Sequence, residues 1–243
     1  MKPFLAVILF ISIWAYPQKS GIVTYRGFYT ATQLTEEFKK KDPSAYRDQA
    51  EYEEIARTLR FEMHFSNNES FFSMVEGLPA DSYDETNVSI AQSKFYGLDS
   101  FYNNLATDES LELANIMDRI VLIEKKISET GWQLTDETKM IDGYKCYKAT
   151  TEYKYHWNGK DRSWPVTAWY APSIPIDLGP LRYAGLPGLI LELSEGYCSW
   201  VVERIDLSPK KKIKVARPKS GEAMTQEELD SQTDKMKKDI MGN

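Results

Sequence analysis

Histidine and cysteine are the side chains best suited to metal binding or nucleophilic catalysis. This chain has two of each: His64, His156, Cys146 and Cys198. No C-x-x-C or H-x-x-x-H spacing occurs, so the four do not read as a zinc ligand set. Cys146 and His156 fall in one strand-like stretch, where ten positions span about 33 Å, too far for a Cys–His dyad. There is no G-x-S-x-G elbow and no Walker-type glycine loop. The adjacent carboxylates Glu36-Glu37, Glu53-Glu54 and Glu227-Glu228 sit in charged, helix-prone stretches and read as solvated faces. The expectation is a non-enzymatic protein with no catalytic residue, no metal and no cofactor.

The stretch with the most distinctive chemistry is residues 164–193, WPVTAWYAPSIPIDLGPLRYAGLPGLILEL. It is rich in proline, glycine and aliphatics. Its only polar groups able to converge are Asp177, Arg182, Tyr183 and Glu192. A closed cleft joining Asp177, Arg182 and Glu192 would favour an enzyme. Leu186-Pro187-Gly188-Leu189 has the composition of a type II turn, with proline presetting φ and glycine supplying a positive one. The apolar run after it, residues 189–193, then enters the core as a strand.

Elements to position these residues follow from periodicity. Residues 21–29 read as a strand. Residues 44–59 carry apolar positions at helical spacing (Tyr52, Ile55, Ala56, Leu59), with Ser44 as a cap. Residues 61–65 and 71–75 form a hairpin around the turn cluster 66–70. Residues 76–90 read as a loop, 91–96 as a short strand and 104–117 as a helix with Leu111, Ala114 and Met117 on one side. Further strands are expected at 119–125, 132–134, 144–156, 165–170, 189–193 and 197–207. Residues 208–219 (SPKKKIKVARPK) read as a lysine-guarded edge strand, and 225–241 as a terminal helix. The fold class expected is α+β: mainly antiparallel β-sheet, curved into a half-barrel, with one or two helices packed on it and a C-terminal helix.

The chain has 243 residues, with 30 basic against 36 acidic side chains and a net charge of −6. That balance argues against a nucleic-acid binder, which needs a dense basic surface. Lys2 is followed by an apolar stretch over 4–16, interrupted only by Ser12. It is too short to span a bilayer, which takes roughly 20 residues, and has the form of a secretory signal peptide. The division expected is 1–18 signal peptide, 19–207 β domain and 208–243 basic strand and helical tail. An exported compartment permits a disulfide between Cys146 and Cys198, worth about 4 kcal/mol on the loop-entropy model. Two unpaired strand cysteines are the alternative.

The tract Gly185, Leu186, Pro187, Gly188, Leu189, Ile190 resembles the signature of the GLPGLI family. Upstream, Trp132, Gly143, Tyr144, Cys146, Trp169, Tyr170, Pro172, Pro175, Gly179 and Pro180 follow in the order associated with that family. The resemblance covers about residues 20–207. It implies an exported protein of Bacteroidota type, in the periplasm or at the outer membrane, and no known reaction; some family members are encoded near TonB-dependent transport systems. Two roles are open. One is a carrier of an apolar ligand such as lipid or lipoprotein, suggested by the aromatic content and by Phe71 and Phe72 on a hairpin arm. The other is a module docking onto an outer-membrane complex through residues 172–188. The GLPGLI tract itself also reads as a folding element, a turn feeding a central strand.

Overall fold

Alternation of apolar and polar residues builds the middle of the molecule. In Arg60–Ser66, Phe61, Met63 and Phe65 are fully buried, while Glu62 and His64 point outward and bond to one another at 2.8 Å. The computed structural model describes residues 20–30, 34–75, 83–116, 119–157 and 159–241. In chain order the elements are β1 (Ser20–Tyr29), α1 (Glu36–Lys41), α2 (Pro43–Thr58), β2 (Arg60–Ser66), β3 (Glu69–Met74) and α3 (Glu85–Lys94). Then come β4 (Ser100–Asn104), β5 (Glu109–Ile116), β6 (Arg119–Lys126), β7 (Gln133–Ile141), β8 (Tyr144–Trp157) and β9 (Lys160–Ala171). The chain closes with β10 (Leu189–Glu195), β11 (Cys198–Asp206), β12 (Glu222–Met224) and α4 (Gln226–Met241). A single 3-10 turn, Ile127–Thr130, links β6 to β7.

Among the described residues twelve strands form one sheet, in the order β12-β6-β5-β4-β3-β2-β1-β11-β10-β9-β8-β7. Every pairing is antiparallel except β12 with β6. The sheet is open, as the α+β expectation has it, and its edges are β12 and β7. It curls enough for β6 to face β8, so that the Lys125 ammonium lies 4.7 Å from the Tyr153 ring centroid. α2 and α3 cover aromatic packing in which Phe61 stacks on Phe72 at 5.6 Å and Trp200 meets Phe61 and Phe95 edge-on. Edge strand β7 is interrupted by a bulge between Leu134 and Thr138 and carries Asp136, Glu137 and Lys139. Charges and an irregular ladder discourage another chain from adding there.

Several expectations are corrected. Residues 104–117 are not a helix. They finish β4 and form β5, joined by an Asx turn in which the Asn104 side chain accepts from the Ala106 and Thr107 N–H groups. Ser110, Leu111 and Glu112 are buried in succession because both faces of β5 are covered, and that erases the two-residue period. Residues 91–96 are not a strand: 91–94 end α3, which starts at the Asp84 cap inside the expected loop, and 95–96 begin the turn after it. α2 begins at Pro43 and is capped by Asp42, whose carboxylate accepts from the Ala45 N–H, in place of Ser44. Residues 208–219 form no ladder: Pro209 and Pro218 lack the N–H a strand needs, and the segment is held by buried Ile213 and by Arg217 on Glu109. The tail is not separate from the sheet, since β12 extends it and α4 packs against β8. The expected signal peptide, 1–18, lies outside the described residues.

Candidate functional site

The site begins with the connection between β9 and β10. It turns into the curled sheet and fills it. Ile174, Ile176, Leu178, Leu181, Tyr183, Ala184 and Leu186 are all buried. Each large aliphatic contributes about 1.5–3 kcal/mol of transfer free energy. Polar contacts pin the path. The Leu189 N–H donates to Ile174 O at 3.0 Å and the Ile190 N–H to Leu178 O at 3.1 Å. Asn103 on β4 donates to Leu181 O at 2.9 Å, and the Trp132 indole donates to Ala184 O at 3.1 Å. Leu181 sits at φ 57, an unfavourable region for a leucine, and Asn103 holds its carbonyl there.

The predicted turn at Leu186-Pro187-Gly188-Leu189 is tighter than type II. The Gly188 N–H donates to Leu186 O at 2.7 Å, while Leu189 spends its N–H on Ile174 to open β10. Glycine is required at Gly188: its φ is 141, and a Cβ there would strike the Ala171 carbonyl oxygen. The GLPGLI tract is thus a turn that feeds a fully buried strand start, Leu189 and Ile190.

The loop delivers Arg182 into the interior. Its guanidinium bonds to Glu112 on β5 at 2.8 Å and to Glu195 on β10 at 2.9 Å. The Tyr183 hydroxyl donates to Glu195 at 2.5 Å, and so does the Tyr96 hydroxyl. Tyr96 ends α3 in a Schellman motif, with the Gly97 N–H on Gln92 O and Tyr96 itself at φ 55, where glycine is usual. The Arg182 Cζ also lies over the rings of Tyr153, Tyr96 and Phe101 at 4.5, 5.0 and 5.1 Å. Burial opposes the guanidinium charge, but Glu112 and Glu195 outweigh it and raise its pKa well above the ordinary value. Burial, with Glu112 nearby, pushes Asp99 up to about 6. Burial raises the Tyr96 and Tyr153 phenols out of physiological reach, so both stay protonated donors.

Beside this network lies a cavity of about 680 Å³ between β5–β6 and β7–β9, reaching Arg182 and Tyr183 at its inner end. Lys125 of β6 projects into it. Among the described residues no carboxylate stands within ion-pair distance of Lys125. Burial, then the Arg182 charge, lowers its pKa to about 8.

Of the four polar residues singled out in 164–193, Arg182 and Tyr183 converge here. Asp177 is exposed and takes part through its backbone carbonyl, which accepts from the Gly185 N–H. Glu192 pairs with Lys139 at 2.8 Å, with the Lys139 ammonium over Trp169. The closed cleft of Asp177, Arg182 and Glu192 is therefore absent. His156 bonds to Asp161 at 2.8 Å. Among the described residues no group of His, Cys, Asp and Glu has the arrangement of a metal site. Cys146 and Cys198 are free thiols donating to Tyr144 O and Lys94 O. Burial pushes them up to about 11 and about 12, so neither is a thiolate at neutral pH. Phe72 is buried, so the hairpin arm offers no exposed pair of rings. The residues missed in sequence are Glu112, Glu195, Tyr96, Tyr153 and Lys125. They lie on four strands and the turn after α3, and no local pattern joins them.

A family model described as a protein of unknown function (Porph_ging) matches residues 158–192. That stretch covers β9, the interior loop with Arg182 and Tyr183, and the start of β10. No curated protein matches the chain. Among solved structures, PNGF-II in space group C2 is 14 % identical, with 90 % of this chain and 32 % of that chain covered at a TM-score of 0.48. PNGF-II in space group P21 is 14 % identical, with 85 % and 31 % covered at 0.46. The chain spans about a third of the length of these structures.

Proposed function

We propose that this chain is an exported envelope protein of GLPGLI type that binds a small polar ligand in the cavity between β5–β6 and β7–β9, without catalysing a reaction. The observation that carries the reading is the cavity itself. Its volume falls within the range of small-molecule sites, and its wall holds polar side chains with no partner among the described residues. Export rests on the apolar stretch at 4–16 and on the GLPGLI tract. The absence of catalysis is supported by the protonated thiols and by histidines held in separate, exposed pairs.

Geometry favours this reading over the two roles suggested by the sequence. A carrier of lipid needs an apolar hollow, and the interior of the curl is occupied by the chain's own Ile174, Ile176, Leu178, Leu181 and Leu186. A docking module using residues 172–188 needs large anchors outside, and the aliphatic and aromatic side chains of that stretch are buried, leaving only the side chains of Pro172, Ser173, Pro175, Asp177 and Pro187 exposed. The test is a thermal-shift screen of small polar metabolites against wild type and Thr150→Trp, which fills the cavity from β8. Compounds that stabilise wild type and not the variant support the reading. Compounds that stabilise both equally, or a screen with no hit alongside native mass spectra showing bound lipid, overturn it.

A further inference from the structure

Lys125 is a charged side chain of the cavity with no carboxylate within ion-pair distance among the described residues. Both buried carboxylates near it, Glu112 and Glu195, are engaged by Arg182. Asp230 on α4 also acts on it, but not within ion-pair distance. What Lys125 does touch is the Tyr153 ring, which it shares with Arg182. Tyr153 and Tyr183 face it as neutral phenols. The arrangement places a half-buried ammonium on the same ring as a second, fully buried cation. That is costly unless an anion arrives.

The remainder of the wall narrows the anion. Ser110, Gln133, Thr150 and Thr167 line the cavity, and their side chains engage no other described group. Four neutral donor–acceptor groups suit a ligand with several hydroxyls, not a hydrocarbon chain. Lys126 and Lys154 stand at the same cavity with Glu129 and Glu152, so its rim carries no net charge. A singly charged carboxylate is repelled less by those two glutamates than a doubly charged phosphate.

We infer that the cavity takes a small, polyhydroxylated monocarboxylate of the sugar-acid class, with the Lys125 ammonium as the counter-ion of its carboxylate and the threonine, serine and glutamine side chains on its hydroxyls. This inference rests on the binding-cavity reading and specifies its ligand. It also accounts for a half-buried lysine that shares the Tyr153 ring with Arg182 and has no carboxylate within ion-pair distance among the described residues.

The experiment is calorimetric titration of the whole chain with glucuronate and galacturonate, against glucose and galactose as neutral counterparts of the same size. It is run at pH 6.5 and pH 9.5 on wild type and Lys125→Gln. The uronates are expected to bind wild type at least tenfold more tightly than the neutral sugars at pH 6.5. That preference is expected to shrink at pH 9.5, where the free amine has lost its proton. It is expected to vanish in Lys125→Gln, while the melting temperature of that variant stays at or above wild type. Equal binding of acid and neutral sugars overturns the counter-ion assignment and leaves the cavity reading intact. Equal acid preference in wild type and variant assigns the carboxylate to Lys126 or Lys154 and equally overturns it. No binding of any of the four sugars also overturns it, and the metabolite screen on Thr150→Trp then decides the cavity reading separately.

Discussion

Two cations face the Tyr153 ring from neighbouring regions of the molecule, and their surroundings differ completely. In the loop-filled interior, Arg182 has two carboxylates, and one of these also accepts from two tyrosine hydroxyls. At the cavity wall, against the same Tyr153 ring, Lys125 has an aromatic face and, among the described residues, no carboxylate within ion-pair distance. Buried charge is tolerable where every charged atom is matched, and the interior meets that condition. The wall does not. A saturated network points to structure, and an unsaturated one beside an open volume points to a ligand. Arg182 therefore reads as the pin that holds the interior loop, and Lys125 as the group left over for binding.

The largest effect that tests this contrast is Arg182→Met. It leaves Glu112 and Glu195 buried without a counter-charge, so urea unfolding at pH 7 is expected to show a loss of about 3–5 kcal/mol. Adding Glu112→Gln and Glu195→Gln to that variant is expected to recover most of it. A loss below about 1 kcal/mol would remove the structural role of the network. Next comes Tyr96→Phe, which deletes one hydroxyl from Glu195 and keeps the ring on Arg182. About 2 kcal/mol is expected from the same measurement, typical of a hydrogen bond to a charged group.

The smallest effect has the opposite sign. Folding lowers the Lys125 pKa from 10.5 to about 8, so the folded state penalises the charged amine. Below pH 8 that penalty is present in full. It fades as the pH rises to 10.5, where the amine is neutral folded or unfolded. Lys125→Met is therefore expected to unfold at higher urea than wild type at pH 7, by about 1–2 kcal/mol. The two proteins should converge near pH 10.5. A variant less stable than wild type at pH 7 would mean that Lys125 is already satisfied, and the contrast with Arg182 would collapse.

Elements with one buried face were legible from sequence. The β2–β3 hairpin shows its period of two because Phe61, Met63 and Phe65 face the core while Glu62 and His64 face water. β5 was misread because both its faces are covered, and α3 because its cap, Asp84, stands inside what looks like a loop. Half of the interior site was visible, since Arg182 and Tyr183 are conspicuous polar residues in an aliphatic segment. Their direction was not visible. A stretch rich in proline and glycine looks the same whether it lines a surface or fills a cavity.

Local composition determined the antiparallel α+β class, the glycine at the turn before β10 and the apolar start of that strand, because each depends on neighbours a few positions away. Only the tertiary structure decided that the β9–β10 loop turns inward, that Glu112 and Glu195 meet on Arg182, and that among the described residues no carboxylate reaches ion-pair distance of Lys125. Those outcomes depend on the curl of the sheet, which brings β6 opposite β8 although the two strands stand near opposite ends of the strand order. Charge pairing in a buried site follows distance in space, and distance along the chain carries almost no information about it.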